Sequence, residues 1–296
     1  MKLRPFVLAA LIAFMGSCSS TQNFAKVTQQ ADLLYYQKDY SDAFEAYSKV
    51  IENYTSKHQA VPGNVYLQAG KSLYYSGSKQ QAMEYFVRGE DVGATDEESL
   101  LLRIKYYGSI DNMSKELDCL ERYAALYDDG SEAAFVNKRL FLRYVEMKEY
   151  RKAYLKFSSM DEADKDDIEI LEKYFTVCEK SDKKAEADKT AQLLYNLNPN
   201  NLIGLNYVAY NAYITTENEY VAAIKAYEAK KTQASYKVMQ QKTAPLAARY
   251  KTAKNYYVKL YNLYKRPHDA EILARICTRL NDKKTAAYYE KLAKKK

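Results

Sequence analysis

Residues 33–51 read LLYYQKDYSDAFEAYSKVI. The apolar and small positions Leu34, Tyr40, Ala43, Phe44, Tyr47, Val50 and Ile51 recur at three- and four-residue steps on either side of a break at Lys38-Asp39, the spacing of two helices joined by a tight turn. Runs of alternating β-branched residues with Asn-Gly turns, the mark of hairpin strands, are missing from the chain. Over 296 residues there are 9 Gly, 5 Pro, 31 Tyr and no Trp, with 47% hydrophobic and 28% charged residues. That composition is globular, not disordered, and its scarce turn punctuation predicts closely joined helices. The expected fold class is all-α.

The hairpin pattern repeats. Taking the small residue as anchor gives Ala43, Ala82, Glu116, Ala153, Ala187, Ala223, Ala253 and Thr285. Four residues after each stand Tyr47, Phe86, Leu120, Phe157, Ala191, Tyr227, Tyr257 and Tyr289. The mean step is about 34.6 residues. Residues 39–47, D-Y-x-x-A-x-x-x-Y, resemble the second helix of a tetratricopeptide repeat, in which a small residue lets the paired helix approach and an aromatic one turn later fills the gap. Gly70 and Ala31 match that family's close-packing position in the first helix, and Pro199 and Pro267 fall where repeats end. The resemblance covers residues 24–296 and implies a right-handed superhelical solenoid of about seven to eight hairpins with a concave groove lined by the first helices. Steps of 39 and 30 residues are expected to be absorbed by a loop at 55–63 and a tight hairpin at Thr243-Ala244-Pro245. Glu116 is the exception among the anchors. A carboxylate is poorly tolerated where helices cross, so either the helices splay or the register shifts there; a splay would make 95–116 a hinge between two stacks.

The N-terminus carries Lys2 and Arg4, then the apolar run FVLAALIAF over residues 6–14, then Met15-Gly16-Ser17-Cys18. A basic start, a short apolar core and small residues before a cleavage point make a secretory signal too short to span a bilayer. Gly16-Ser17-Cys18 resembles the bacterial lipoprotein box, with Met15 where that family usually has Leu. The resemblance implies removal of residues 1–17, acylation of Cys18, a tether over 18–23 and anchoring without a spanning helix. Ser19, Ser20 and Thr21 carry no acidic retention signal, which by resemblance to lipoprotein sorting points to the outer membrane. Its periplasmic face is expected, with the cell surface as the alternative. The remaining Cys119, Cys178 and Cys277 lie in apolar helical patterns and read as small buried hydrophobes, or as one disulfide with a spare thiol.

Residues 18–200 hold 24 Lys/Arg and 31 Asp/Glu, a net of −7, whereas residues 201–296 hold 19 and 7, a net of +12. The basic rear includes Lys230, Lys231, Lys237, Lys242, Arg249 and Lys254, interleaved with Tyr236, Tyr250, Tyr256, Tyr261 and Tyr264. Such a surface is either solvated helix or a docking face for anionic lipid, an acidic protein or another copy of the chain; export argues against nucleic acid. His58 and His268 have no second His at ligand spacing, and phosphate loops and nucleophile elbows are absent. The acidic run at 161–167 lacks the glycine and spaced oxygens of a calcium loop. No metal, cofactor or small-molecule ligand is implied, and no enzyme is expected. At the family's groove-facing positions the register puts Tyr35-Tyr36 level with Tyr74-Tyr75, and Asp32 level with Lys71 and Lys105. The tyrosines suit a peptide or partner helix and the charged set could clamp it, although one Tyr of each pair could instead pack between helices. A non-catalytic scaffold that docks an envelope protein follows, sharing its plan with the repeat lipoprotein of the outer-membrane barrel-assembly machine. The alternative is a carbohydrate- or nutrient-binding outer-membrane lipoprotein, a class that usually employs Trp.

Overall fold

The computed structural model describes the backbone of residues 17–294 and the side chains of residues 25–294. The expected signal and the Cys18 thiol therefore lie outside the described side chains, and the expected tether at 18–23 is backbone of the first helix. Among the described residues all regular structure is helical. The chain forms two compact units, one ending at Arg143 and the other beginning at Tyr144. The first holds α1 (Ser17–Tyr36), α2 (Tyr40–Ser56), α3 (Gly63–Tyr75), α4 (Lys79–Asp91), α5 (Glu97–Ser109), α6 (Met113–Leu126) and most of α7 (Ala133–Glu146). The second holds α8 (Tyr150–Ser158), the short α9 (Glu162–Lys165), α10 (Ile168–Lys180), α11 (Lys184–Leu197), α12 (Leu202–Ala229), α13 (Gln233–Thr243), α14 (Leu246–Tyr264), α15 (Pro267–Arg279) and α16 (Lys283–Ala293).

Six turns inside the hairpins are built alike, with a closure that also occurs at His58 and Gly93 between hairpins. Lys38, Gly77, Asp111, Lys148, Asp182 and Asn281 each adopt positive φ, between 53° and 103°. The next residue ends the turn by donating its N–H to the carbonyl five positions back, on Leu34, Leu73, Tyr107, Tyr144, Cys178 and Cys277, at 2.8–3.0 Å. This closure satisfies a carbonyl that the end of the preceding helix would leave orphaned. Of the six, only Gly77 enters the left-handed region without a Cβ penalty; at the other five, cooperative closure holds a conformation costing about 1–2 kcal/mol.

Four residues after each closing residue the chain buries a side chain: Ala43, Ala82, Glu116, Ala153, Ala187 and Ala286. The last corrects the sequence register by one, because Ala286 is buried while Thr285 is half-buried and donates its backbone N–H to the capping Asp282 at 3.1 Å. Small side chains let the helices close. In α2 the buried Ala43, Tyr47 and Val50 make one stripe against Ala31 of α1 and Val65 and Ala69 of α3. At Gly70 a Cβ would lie 2.7 Å from the Phe86 ring, so α3 and α4 meet at the closest distance the backbone allows.

Two expectations change. Glu116 neither splays the hairpin nor shifts the register; it is 1% exposed, accepting from Arg139 Nε at 2.6 Å and from Arg143 Nε at 2.7 Å. The segment 95–116 thus lies inside the first unit, and the division falls at Arg143/Tyr144. Secondly, the spacing expected a turn before Ala223, yet α12 runs uninterrupted for 28 residues. Leu205, Ala209 and Tyr213 bury it against α14, while Glu217 accepts from Tyr250 Oη at 2.6 Å and Glu219 pairs with Arg249 at 2.6 Å. Those bonds fix α12 as a helix through the place where a turn would sit. Pro245 then opens α14 close behind α13, as the short step required.

Candidate functional site

The shared turn geometry brings the sequence-level equivalences into register. Counting back from the positive-φ residue, Tyr35 and Tyr74 stand three before it, Tyr36 and Tyr75 two before it, and Asp32, Lys71 and Lys105 six before it. The first two hairpins therefore present matching tyrosines at the same edge. Tyr40, the first residue of α2, joins them: its ring stacks on Tyr75 at 5.0 Å and 28°, and Tyr35 lies edge-on to Tyr40 at 5.6 Å. Tyr36 and Tyr74 extend the cluster by edge contacts to Tyr35 and Tyr75 at 6.1 and 5.8 Å.

A carboxylate organises the rings. Glu98 Oε1 accepts from Tyr75 Oη at 2.8 Å and from Tyr35 Oη at 3.2 Å, and its Oε2 lies 2.9 Å from Lys71 Nζ. Lys71 also donates to Asp96 Oδ2 at 2.7 Å, and Asp96 caps α5 through a reciprocal pairing with Ser99. Burial lowers the Lys71 pKa, but the hydrogen bonds and charges of Asp96 and Glu98 outweigh it and the net shift is upward. Burial first, then the Glu98 charge, push the Tyr35 phenol well above its ordinary range; burial and the hydrogen bond to Glu98 do the same for Tyr75. The phenols stay neutral donors.

The tyrosines divide into two roles. Tyr35 and Tyr74 are half-buried, whereas Tyr36 is 78% exposed and Tyr75 42% exposed. Contact surface is thus offered by the second ring of each pair, carried on the first. The clamp expected of Asp32 and Lys71 is already engaged within the chain: Asp32 accepts from Tyr47 Oη at 2.6 Å, and Lys71 is buried with its two carboxylates. Lys105 is exposed on α5. Sequence reasoning missed Tyr40 and Glu98. Asp96-x-x-Ser99 was a readable cap, but nothing local shows that the start of α5 meets the end of α3.

In the second unit Lys230, Lys231, Lys237 and Lys242 are exposed on α13 and the turn before it. Arg249 pairs with Glu219, and Lys254 lies 3.4 Å from Asp282. Most interleaved tyrosines serve packing: Tyr250 is core, Tyr256 meets Tyr195 edge-on, and Tyr261 meets Tyr289. Tyr236 remains exposed on α13. Cys119, Cys178 and Cys277 are free and buried, and burial pushes the Cys119 thiol up to about 11. In the acidic run Glu162 pairs with Lys165 at 2.8 Å and Asp167 caps α10. Among the described residues no group of His, Cys, Asp or Glu converges to hold a metal ion, and no helix is long and apolar enough to cross a membrane.

Helical hairpins repeating near 34 residues, with a buried alanine at every like turn but that of Glu116 and close packing at Ala31 and Gly70, are the tetratricopeptide arrangement. The fold is tetratricopeptide-like. No family model matches the chain, and no curated protein matches it. Among solved structures, a Bacteroides ovatus protein named as a candidate protein-binding protein aligns over 74% of this chain and 98% of its own, at 18% identity and a TM-score of 0.46. YrrB, a TPR protein with an unusual peptide-binding site, aligns over 64% of this chain and 96% of its own, at 13% identity and a TM-score of 0.44. A tetratricopeptide repeat protein from Parabacteroides merdae aligns over 93% of this chain and 100% of its own, at 14% identity and a TM-score of 0.40.

Proposed function

We infer that this chain is a non-catalytic interaction scaffold that holds a protein or peptide at the tyrosine edge of its first two hairpins. The observation carrying this reading is the pair of exposed rings, Tyr36 and Tyr75, held by Tyr35, Tyr40 and Glu98. Tyrosines fixed in this way lose little rotamer freedom when they are covered, which favours a partner-binding surface. The Gly16-Ser17-Cys18 box supports acylation at Cys18 and a place at the outer membrane, on its periplasmic face, where a scaffold of this kind would serve envelope assembly.

The test is crosslinking in intact cells followed by capture. The wild-type chain is expected to recover one defined envelope protein, and Tyr36→Ala with Tyr75→Ala to reduce that recovery tenfold or more, the scale of losing about 1.4 kcal/mol, while helical circular dichroism is unchanged. Cys18→Ser is expected to move the chain to the soluble fraction. Undiminished capture by the double variant, or retention on a glycan array in place of a protein, would overturn the partner reading; a Cys18→Ser chain still in the membrane fraction would overturn the tether.

A further inference from the structure

The repeat plan is interrupted by α12 and α13. α12 is committed to the core through Leu205, Ala209, Tyr213 and Ala223, but no side chain of α13 is buried. α13 is therefore not required to complete the repeat packing. The charge of the hairpin is one-sided. Residues 221–245 carry five lysines and one carboxylate, Glu228, a net of +4, and residues 229–268 contain ten Lys/Arg and no Asp or Glu at all. The two glutamates nearer the core are already taken, Glu217 by Arg279 at 2.5 Å and Glu219 by Arg249 at 2.6 Å. No lysine of the hairpin is in an ion pair among the described residues, whereas Arg249, Lys254 and Arg266 of α14 and its flank each have a carboxylate partner. Beside these lysines Tyr236 and Val238 are 44% and 49% exposed.

We propose that the α12–α13 hairpin is a membrane-contact element that lies on an anionic lipid surface, with Lys230, Lys231, Lys237 and Lys242 against the headgroups and Tyr236 and Val238 at the headgroup boundary. A docking site for an acidic protein would be expected to set its register with charges of both signs. The hairpin, with five lysines and the single carboxylate Glu228 over residues 221–245, has no such register, and it complements a laterally uniform sheet of negative charge. Tyr is the side chain suited to the boundary, its ring apolar and its hydroxyl wet. The contact requires no acyl chain, so it is separable from the tether at Cys18.

The experiment uses the mature-length chain carrying Cys18→Ser, which has no acylation site, with phosphatidylcholine vesicles and with mixed phosphatidylcholine–phosphatidylglycerol vesicles, read by cosedimentation. The chain is expected to partition to the mixed vesicles and not to the neutral ones, and to be released by salt. Each Lys→Gln among the four is expected to weaken partition about fivefold, and the quadruple variant several hundredfold. Tyr236→Ala is expected to weaken it further without altering the salt dependence. Because α13 buries no side chain, these variants keep the helical circular dichroism of the parent. Equal partition to neutral vesicles, or quadruple-variant binding equal to the parent, overturns the proposal. So does loss of a crosslink to an acidic envelope protein while vesicle binding is retained, which assigns the hairpin to that protein. The vesicle outcomes do not bear on the tyrosine edge, which lies in the other unit.

Discussion

Replacing Glu116 by alanine is expected to destabilise the first unit by about 3–5 kcal/mol, even though alanine is what the other hairpins carry at this place. The carboxylate is buried between two guanidinium groups, with Arg143 held through both Nε and Nη2, and Arg143 is itself 6% exposed. Removing the anion takes the buried carboxylate from a cation that is itself held away from water. Gly108 leaves room for the carboxylate, since a Cβ there would lie 3.1 Å from Glu116 Oε1. Urea denaturation followed by far-ultraviolet circular dichroism measures the loss. Adding Arg143→Met to Glu116→Ala is expected to recover much of it, because what costs stability is the buried cation that has lost this carboxylate and not the lost attraction. A single variant within about 1 kcal/mol of the parent would show that Arg143 finds water in its place.

Gly204→Ala is expected to cost the second unit about 3 kcal/mol, the upper end for overpacking. In an exposed helix the same change would stabilise by up to about 1 kcal/mol. Here a Cβ would fall 2.3 Å from Tyr195 N and 2.7 Å from Tyr195 Cα, backbone atoms of α11 that cannot rotate away. Gly204 also donates its N–H to the capping Asn201 Oδ1 at 3.0 Å, so the start of α12 cannot slide without losing its cap. The denaturation midpoint checks this, and a variant as stable as the parent would mean that α11 and α12 can separate.

These two sites show what the sequence made legible and what it did not. The hairpins were readable because each needs a small side chain at the crossing and an apolar stripe at helical spacing, and both are local size patterns. Glu116 broke the pattern, and its compensation comes from Arg139 and Arg143 on a later helix, which no local spacing reveals. The run around Ala223 carried the right sizes for another hairpin, yet Glu217 and Glu219 find partners on α14 and α15 that hold α12 straight. At the tyrosine edge the paired positions could be aligned from the sequence. Which ring of each pair is exposed could not, since it depends on Glu98 arriving from α5 and on Tyr40 stacking across to Tyr75.

The six like turns bear on how this chain can change length. From the positive-φ residue to the buried position of the following helix every turn has the same number of residues, so the unequal steps of the series arise in helix length and in the returns between one hairpin and the next. Those returns run over residues 57–62, 92–96 and 127–132 in the first unit. Insertions and deletions are therefore expected to be accommodated at the returning side, while the tyrosines sit at the turns of constant length. Duplication or loss of a whole hairpin would keep phase with its neighbours, and growth of the array by copy number would leave the spacing of Tyr36 and Tyr75 unaltered.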